Sequence, residues 1–332
     1  MTDSSRRLTP IVRLAPAKLN LTLAVLGRRA DGFHDLHSVV VPLALADRLS
    51  LAAQPAGARD SLHVNGPDTG PDADNVVLRA IAAARMAAAP LAGGPGALPP
   101  LAARLDKRIP VAAGLGGGSS DAAAALDGAL EAWGVDLPDD ERRAVAARLG
   151  SDVPLFLAGG PALIEGRGER VTPLGEVRGE PPGVLLVSPA LPLATPAVFA
   201  AFDVVAGSGS GSGSTRLASE HIASEMRGGI RAADLVARAG VLASANDLAV
   251  AATHVEPALL PFRRALMRRL GRPVGQSGSG PTLWALYPSI RAAEAAAADL
   301  QAAVVSGELA APGAGAPFIV ATTIAPSPRS QP

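Results

Sequence analysis

The sequence predicts an α+β fold, with strands and helices mixed along the chain. Two observations carry this. Apolar, β-branched runs bunch near the N-terminus, from Ile11 to Val25 and from Leu36 to Leu45. Alanine-rich helical stretches follow, and strand-like runs then return singly as far as Ile324. A doubly wound parallel sheet would instead alternate strand and helix from its start. At 332 residues, 48% of them hydrophobic, the chain can bury a core as one large or two medium domains.

The elements read in order as follows. Residues 1–9 are polar and expected to be disordered, like the tail 327–332. Leu19, Leu21, Leu23 and Val25 alternate with Asn20, Thr22 and Ala24, which predicts a half-buried strand. Arg28 to Gly32 is a turn, and Leu36 to Leu45 a second strand. Asn75 to Ala88 reads as a helix capped by Asp74 or Asn75. Leu101 to Ile109 fits a strand, followed by a glycine cluster and a helix from about Ser120 to Trp133. Pro138-Asp139-Asp140 opens another helix that ends near Gly150.

Val184 to Val187 reads as a strand. The run Gly207 to Ser214 is pure Gly and Ser, expected as a flexible surface insertion within a second domain. Helices are expected near 229–242 and 256–269, then a glycine turn at Gly275 to Gly280. Thr282 to Tyr287 is a strand, Arg291 to Val304 a helix, and Phe318 to Ile324 a closing strand.

Thirty basic residues balance thirty acidic ones, which argues against a general nucleic-acid or membrane-surface binder. With no cysteine, disulfides, thiolate metal sites and a cysteine nucleophile are excluded. No stretch reaches the roughly 18 apolar residues of a membrane span. Arg13 and Pro16 interrupt the apolar stretch near the N-terminus, so a signal-peptide core is not expected and the cytoplasm is the expected location. Only Lys18 and Lys107 are lysine; the other 28 basic residues are arginine. A lysine kept against that bias suggests a site wanting a compact point charge rather than a planar fork. Asparagine is equally sparse, at Asn20, Asn65, Asn75 and Asn246.

Between the expected strand and helix lies Pro110-Val-Ala-Ala-Gly-Leu-Gly-Gly-Gly-Ser-Ser-Asp121. Its glycines permit positive φ and close approach to a ligand. Its amides would converge on a helix N-terminus, where an anion is favoured. A phosphate cradle is the natural reading, a structural turn the plainer one. It is not a Walker A loop, because Ser-Ser-Asp rather than Lys-Ser/Thr follows Gly118. Nor does a βαβ unit precede it, as a dinucleotide fingerprint requires. Taken alone, Asp152 in Gly150-Ser-Asp-Val-Pro154 reads as a turn or capping residue. Ser277-Gly-Ser-Gly-Pro281 alone reads as a hairpin loop, and His34 as a surface or core histidine. Phe33 and Phe199 alone read as core packing.

Together these segments resemble the GHMP kinase superfamily, whose three signatures correspond to Pro16-Ala-Lys-Leu-Asn20, Gly114 to Ala123 and Ser277-Gly-Ser-Gly280. Further segments resemble the branch of that superfamily acting on 4-diphosphocytidyl-2-C-methyl-D-erythritol. They are Gly27-Arg-Arg-Ala-Asp-Gly-Phe-His34, Asp74-Asn75, Gly150-Ser-Asp-Val-Pro154, Thr195-Pro-Ala-Val-Phe199 and Ser244-Ala-Asn-Asp247. The likeness runs in order from about residue 13 to 324. Two departures stand out: Phe33 replaces a usual Tyr, and the 207–214 insertion is longer than expected.

The resemblance implies an ATP-binding domain over 10–178 and a second domain over 179–326, with the active site in the cleft between them. It implies ATP and Mg²⁺ as cofactors, the metal ligands remaining open. ATP would lie on Pro110, Ala112, Ala113, Gly114, Leu115, Gly116, Gly117, Gly118, Ser119 and Ser120. Lys18 and Asp152 would be catalytic. Asn20, Phe33, His34, Asp152, Thr195 and Phe199 would bind the small-molecule substrate, whose 2-hydroxyl accepts the phosphoryl group in the non-mevalonate isoprenoid route. Cytosine would stack between Phe33 and Phe199. No nucleic acid, membrane or obligatory protein partner is expected. Other kinases of the superfamily, or an inactive binding protein on the same fold, are the alternatives.

Overall fold

The computed structural model describes residues 10–71, 74–207 and 211–326. The expected disordered ends, 1–9 and 327–332, lie outside the described residues. In chain order the first elements are β1 (Ile11–Asn20), β2 (Ala24–Arg28), β3 (His34–Ala53), β4 (Ser61–Asn65), α1 (Val76–Ala88) and β5 (Leu101–Asp106). Three helices follow, α2 (Gly117–Trp133), α3 (Asp139–Leu149) and α4 (Val153–Ala158), then β6 (Ala162–Gly166), β7 (Arg170–Pro173), β8 (Val177–Arg178) and β9 (Gly183–Ser188). Next come α5 (Thr195–Ala206), α6 (Gly213–Arg227), β10 (Ile230–Arg231), α7 (Ala232–Ala237), α8 (Ala239–Ser244), α9 (Leu248–Val255) and α10 (Leu259–Leu270). The chain closes with β11 (Gly275–Gln276), β12 (Leu283–Tyr287), α11 (Ile290–Val305) and β13 (Phe318–Thr323).

Packing divides these elements into two units. One comprises residues up to Pro16, Ala46–Val111 and Gly117–Leu157; the other comprises Ala17–Leu45, Ala112–Gly116 and Ala158 onward.

In the first unit, the C-terminal part of β3 pairs antiparallel with β5, Arg48 opposite Asp106 and Ala53 opposite Leu101. β5 in turn pairs parallel with β4. Leu101, Ala103 and Leu105 of β5 are buried while Arg104 is exposed, the period-2 pattern of a sheet with one covered face. The cover is helical: Val77, Ala80, Ile81 and Ala84 of α1, and Ala122, Ala125, Leu126 and Ala129 of α2, share one core with Leu49 and Leu51. Small residues on α2 let it approach closely. A Cβ at Gly128 would lie 2.6 Å from Leu51 Cδ1.

In the second unit, the N-terminal part of β3 pairs antiparallel with β2 and β6, and β6 with β7. A separate antiparallel sheet runs β11-β12-β9-β13. Its central strands are buried throughout, with Phe262 and Leu266 of α10 and Ala293, Ala297 and Leu300 of α11 packed on Leu185, Val187, Leu283 and Ala285. A third cluster joins Leu23 and Val25 to Val198, Phe202, Leu248 and Ala252 on α5 and α9.

Three expectations change. The strand from Leu19 to Val25 is interrupted after Asn20, where the Leu21 and Thr22 amides both donate to the Val39 carbonyl, at 2.9 and 3.4 Å. Nor is it half-buried: every residue from Ala17 to Val25 is buried. The polar members survive burial because Asn20 and Thr22 are hydrogen-bonded. The helix expected at 229–242 is two short helices, α7 and α8, breaking at Arg238.

The Gly/Ser run, finally, is put to local use. Gly207 ends α5, while 208–210 lie outside the described residues. The Gly211 amide donates to the Val25 carbonyl at 2.7 Å, and the Ser212 side chain caps α6 by accepting from the Ser214 and Thr215 amides. An N-cap serine satisfies donors that the first turn leaves unpaired.

Candidate active site

β5 delivers the chain to the glycine loop and α2 takes it away. Gly114 and Gly116 have φ of 75° and 70°, and Ala112 has φ of 54°. Glycine adopts this region without steric cost, whereas Ala112 holds it under strain. Ala113 and Leu115 are buried and anchor the loop. α2 begins at Gly117 rather than the expected Ser120. Gly117, Gly118, Ser119 and Ser120 are therefore its first turn, whose amides lack intrahelical acceptors. The Ser120 hydroxyl is buried without a partner among the described residues. Unpaired amides, a buried hydroxyl and the positive end of a helix suit a phosphate.

Within the second unit, the three segments singled out by sequence meet. The Lys18 amide donates to the Leu115 carbonyl at 2.8 Å. Its ammonium donates to the Asn20 side-chain oxygen, and Asn20 Nδ2 donates to Ser38 Oγ at 2.8 Å. The Ser277 hydroxyl donates to the Gly114 carbonyl at 3.0 Å and accepts from the Asn20 amide at 3.4 Å. A Cβ at Gly114 would stand 2.5 Å from the Ser277 carbonyl oxygen, so only glycine fits. Asn246 Nδ2 donates to the carbonyls of Gln276 at 3.0 Å and Gly278 at 2.9 Å, holding the turn from α9's side. Thr195 and Ser279 hydroxyls lie 2.9 Å apart.

A second cluster gathers aromatic groups. The His34 imidazole stacks on Phe199, with centroids 5.0 Å apart and planes 23° apart, and meets the edge of Phe202 at 6.0 Å. Its Nε2 lies 2.7 Å from Asp203 Oδ1. Phe33 is half exposed, and the Arg167 guanidinium lies 5.3 Å from its ring centroid. Phe199 thus already carries an imidazole on one face.

In the first unit, Asp152 occupies the turn between α3 and α4, where the Val153 amide donates to the Gly150 carbonyl at 3.2 Å. The other lysine, Lys107, is buried between two carboxylates: its ammonium is 2.5 Å from Asp47 Oδ2 and 2.8 Å from Asp121 Oδ2. Asp47 Oδ1 accepts from the Arg108 and Ile109 amides at 2.5 and 2.9 Å. Burial pushes the Asp121 carboxyl up to about 7; Lys107 opposes the shift and Asp47 reinforces it. Burial alone would lower the Lys107 ammonium, but Asp121 and Asp47 raise it above the ordinary lysine value. Among the described residues no group of three His, Cys, Asp or Glu could hold a metal ion.

Residues 75–160 match the GHMP kinases N terminal domain. The 4-diphosphocytidyl-2-C-methyl-D-erythritol kinase of Paramagnetospirillum magneticum is 40% identical over 298 residues, 87% of this chain and 93% of the relative. That of Deinococcus radiodurans is 39% identical over 300 residues, 88% of this chain and 90% of the relative. The chain belongs to the 4-diphosphocytidyl-2-C-methyl-D-erythritol kinase family.

A crystal structure of a 4-(cytidine 5'-diphospho)-2C-methyl-D-erythritol kinase superposes with a TM-score of 0.67 at 31% identity, covering 94% of this chain and 99% of the other. Homoserine kinase from Cytophaga hutchinsonii, at 16% identity and a TM-score of 0.66 over 98% and 97%, shares the fold. The expected α+β GHMP kinase fold is therefore present, and the family is one of kinases with ATP as phosphate donor. No helix among the described residues is long and apolar enough to cross a membrane.

Sequence reasoning missed Asp203, Ser38 and Arg167. Asp203 lies in α5, four residues after Phe199, and that helical spacing placed it beside the aromatic cluster in retrospect. Ser38 and Arg167 carried no such signal.

Proposed function

We propose that this chain transfers the γ-phosphoryl group of ATP to the 2-hydroxyl of 4-diphosphocytidyl-2-C-methyl-D-erythritol, a step toward isoprenoid precursors. The observation that carries this reading is the convergence of Lys18, Asn20, Gly114 and the Ser277–Gly280 turn through hydrogen bonds. The likeness to family members of the same name supports it over other alcohol acceptors.

The chemistry asks chiefly for positioning and charge neutralisation. The loop from Pro110 to Ser120 holds the phosphates through its amides. Mg²⁺ would accompany the nucleotide and neutralise phosphate charge, with the Ser119 or Ser120 hydroxyl at the start of α2 as the side chain to hold it, directly or through water. The acceptor is a tertiary alcohol, crowded and weakly acidic. Asp152 orients it and takes its proton late, as the bond to phosphorus forms. Lys18 stabilises charge on the transferring group, its ammonium aimed by Asn20. Phe33 and Phe199 stack on cytosine, and His34, steadied by Asp203, hydrogen-bonds the base. Thr195 contributes a hydroxyl to the same substrate. Residues 10–178 would form the ATP-binding domain and 179–326 its companion. The enzyme works in the cytoplasm, without nucleic acid, membrane or obligatory protein partner.

The test is ADP release with Mg²⁺-ATP and, separately, the cytidylyl substrate, mevalonate or homoserine. Release with the cytidylyl substrate alone is expected. Equal or faster release with another alcohol overturns the substrate assignment, and no release with any points to a binding protein.

A further inference from the structure

The Lys107, Asp47 and Asp121 cluster is unexplained by the proposed chemistry. All three residues are buried, and burying three charged groups is expensive even when they pair. A hydrophobic trio of similar volume would serve packing as well, so the cluster's placement matters more than its energy. Lys107 precedes the glycine loop and Asp121 follows it, on the first turns of α2. Asp47 adds a third anchor from β3, gripping the Arg108 and Ile109 amides just ahead of the loop. The loop between these ends is rich in glycine, which loses the most conformational freedom on ordering.

The choice of lysine also has a steric cause. A Cβ at Gly117 would stand 3.2 Å from the Lys107 Nζ. The ammonium is packed against the backbone where α2 starts, leaving no width for a guanidinium.

We propose that Lys107 is a positioning residue: its ammonium clasps Asp47 and Asp121 across the base of the glycine loop and holds the loop amides in their nucleotide-binding arrangement. This rests on the reading of the loop as the nucleotide cradle. Lys107 acts through the backbone, touching neither the acceptor nor the transferred group, so its loss shows first in nucleotide affinity. Losing one loop amide's hydrogen bond to a charged phosphate weakens binding by about tenfold or more.

The experiment compares the full-length wild type with Lys107→Gln, Lys107→Arg and the double variant Lys107→Gln/Asp121→Asn. The double variant keeps the cluster's formal charge, and so remains available if the single ones fail to fold. Calorimetry with Mg²⁺-ADP should give a Kd raised about tenfold or more in the double variant, with the KM for the cytidylyl substrate within about threefold. Amide hydrogen exchange across 110–118 should quicken while exchange in α1 is unchanged. A folded double variant with wild-type Kd and loop exchange overturns the proposal, as does quickened exchange spread evenly over the chain. Gly114→Val separates the premise from the proposal: if it folds and binds Mg²⁺-ADP like wild type, the cradle reading itself fails.

Discussion

Lys18 and Gly278 are pressed together: a Cβ at Gly278 would stand 3.2 Å from the Lys18 Nζ. Gly278 also has φ of 58°, a conformation that glycine holds without strain. The second of the chain's two retained lysines in spatial confinement, Lys107, repeats the pattern against Gly117. In both places a compact ammonium meets bare backbone.

Lys18→Arg should therefore fail although it conserves charge. The planar guanidinium needs width that the Gly278 turn denies it. The kcat is expected to fall about 100-fold or more, in the range seen when one transition-state donor is lost. Steady-state kinetics on a variant with wild-type melting behaviour check this. An active Lys18→Arg enzyme would remove the steric argument.

Asp152→Asn should lower kcat by about 100- to 10,000-fold, the usual contribution of a positioned acid or base. Nucleotide binding should persist, because the loop amides and not Asp152 are assigned to the phosphates. Paired measurements of turnover and Mg²⁺-ADP affinity decide. Activity within threefold of wild type would leave Asp152 as the turn residue between α3 and α4.

Removing either proposed stacking ring should weaken substrate recognition. Stacking on a base is worth about 1–3 kcal/mol by alanine substitution, so Phe33→Ala and Phe199→Ala should raise the cytidylyl KM roughly 5- to 150-fold. The KM for ATP should barely move. Phe199→Ala should be the worse of the two, since it also frees the His34 ring that stacks on it. Phe33→Tyr should be active. An unchanged cytidylyl KM in both folded alanine variants rules out the sandwich.

The Asp121 carboxyl gives a pH signature. Its folded-state pKa of about 7 lies above the ordinary 3.8, burial being the main cause. Between these values the folded chain keeps a proton that the unfolded chain releases. Stability contributed by this group therefore falls as pH rises from about 4 to 7, and is level above that. Lys107 is charged in both states throughout this window, because its pKa is raised from an already high value. Asp121→Asn should abolish this part of the slope. Melting temperatures of wild type and variant from pH 4 to 8 provide the check: their difference should change steadily up to neutrality, and a constant difference would contradict the shift.

The sequence by itself determined the class of fold, the glycine loop and the membership of a kinase family. These are written in local features: alternation in Leu101–Leu105, alanine at helical spacing from Ala122 to Ala129, and contiguous motifs such as Gly114 to Asp121. Period and short-range turn chemistry need no knowledge of partners. The rarity of lysine likewise marked Lys18 and Lys107 before any contact was known. Only tertiary structure decided what those residues touch. The Lys18 ammonium bonds to Asn20 two positions on, and Lys107 found carboxylates from β3 and α2, sixty positions back and fourteen ahead. The break after Asn20 was invisible because Leu21, Thr22 and Leu23 keep the alternation while their amides turn to Val39 and Ala245. The Gly/Ser run read as idle loop, yet Gly211 fits where a Cβ would strike the Asp247 carboxylate at 1.8 Å. Side-chain pattern reports which face is apolar; the destination of each polar group depends on residues far along the chain, and only packing brings them within reach.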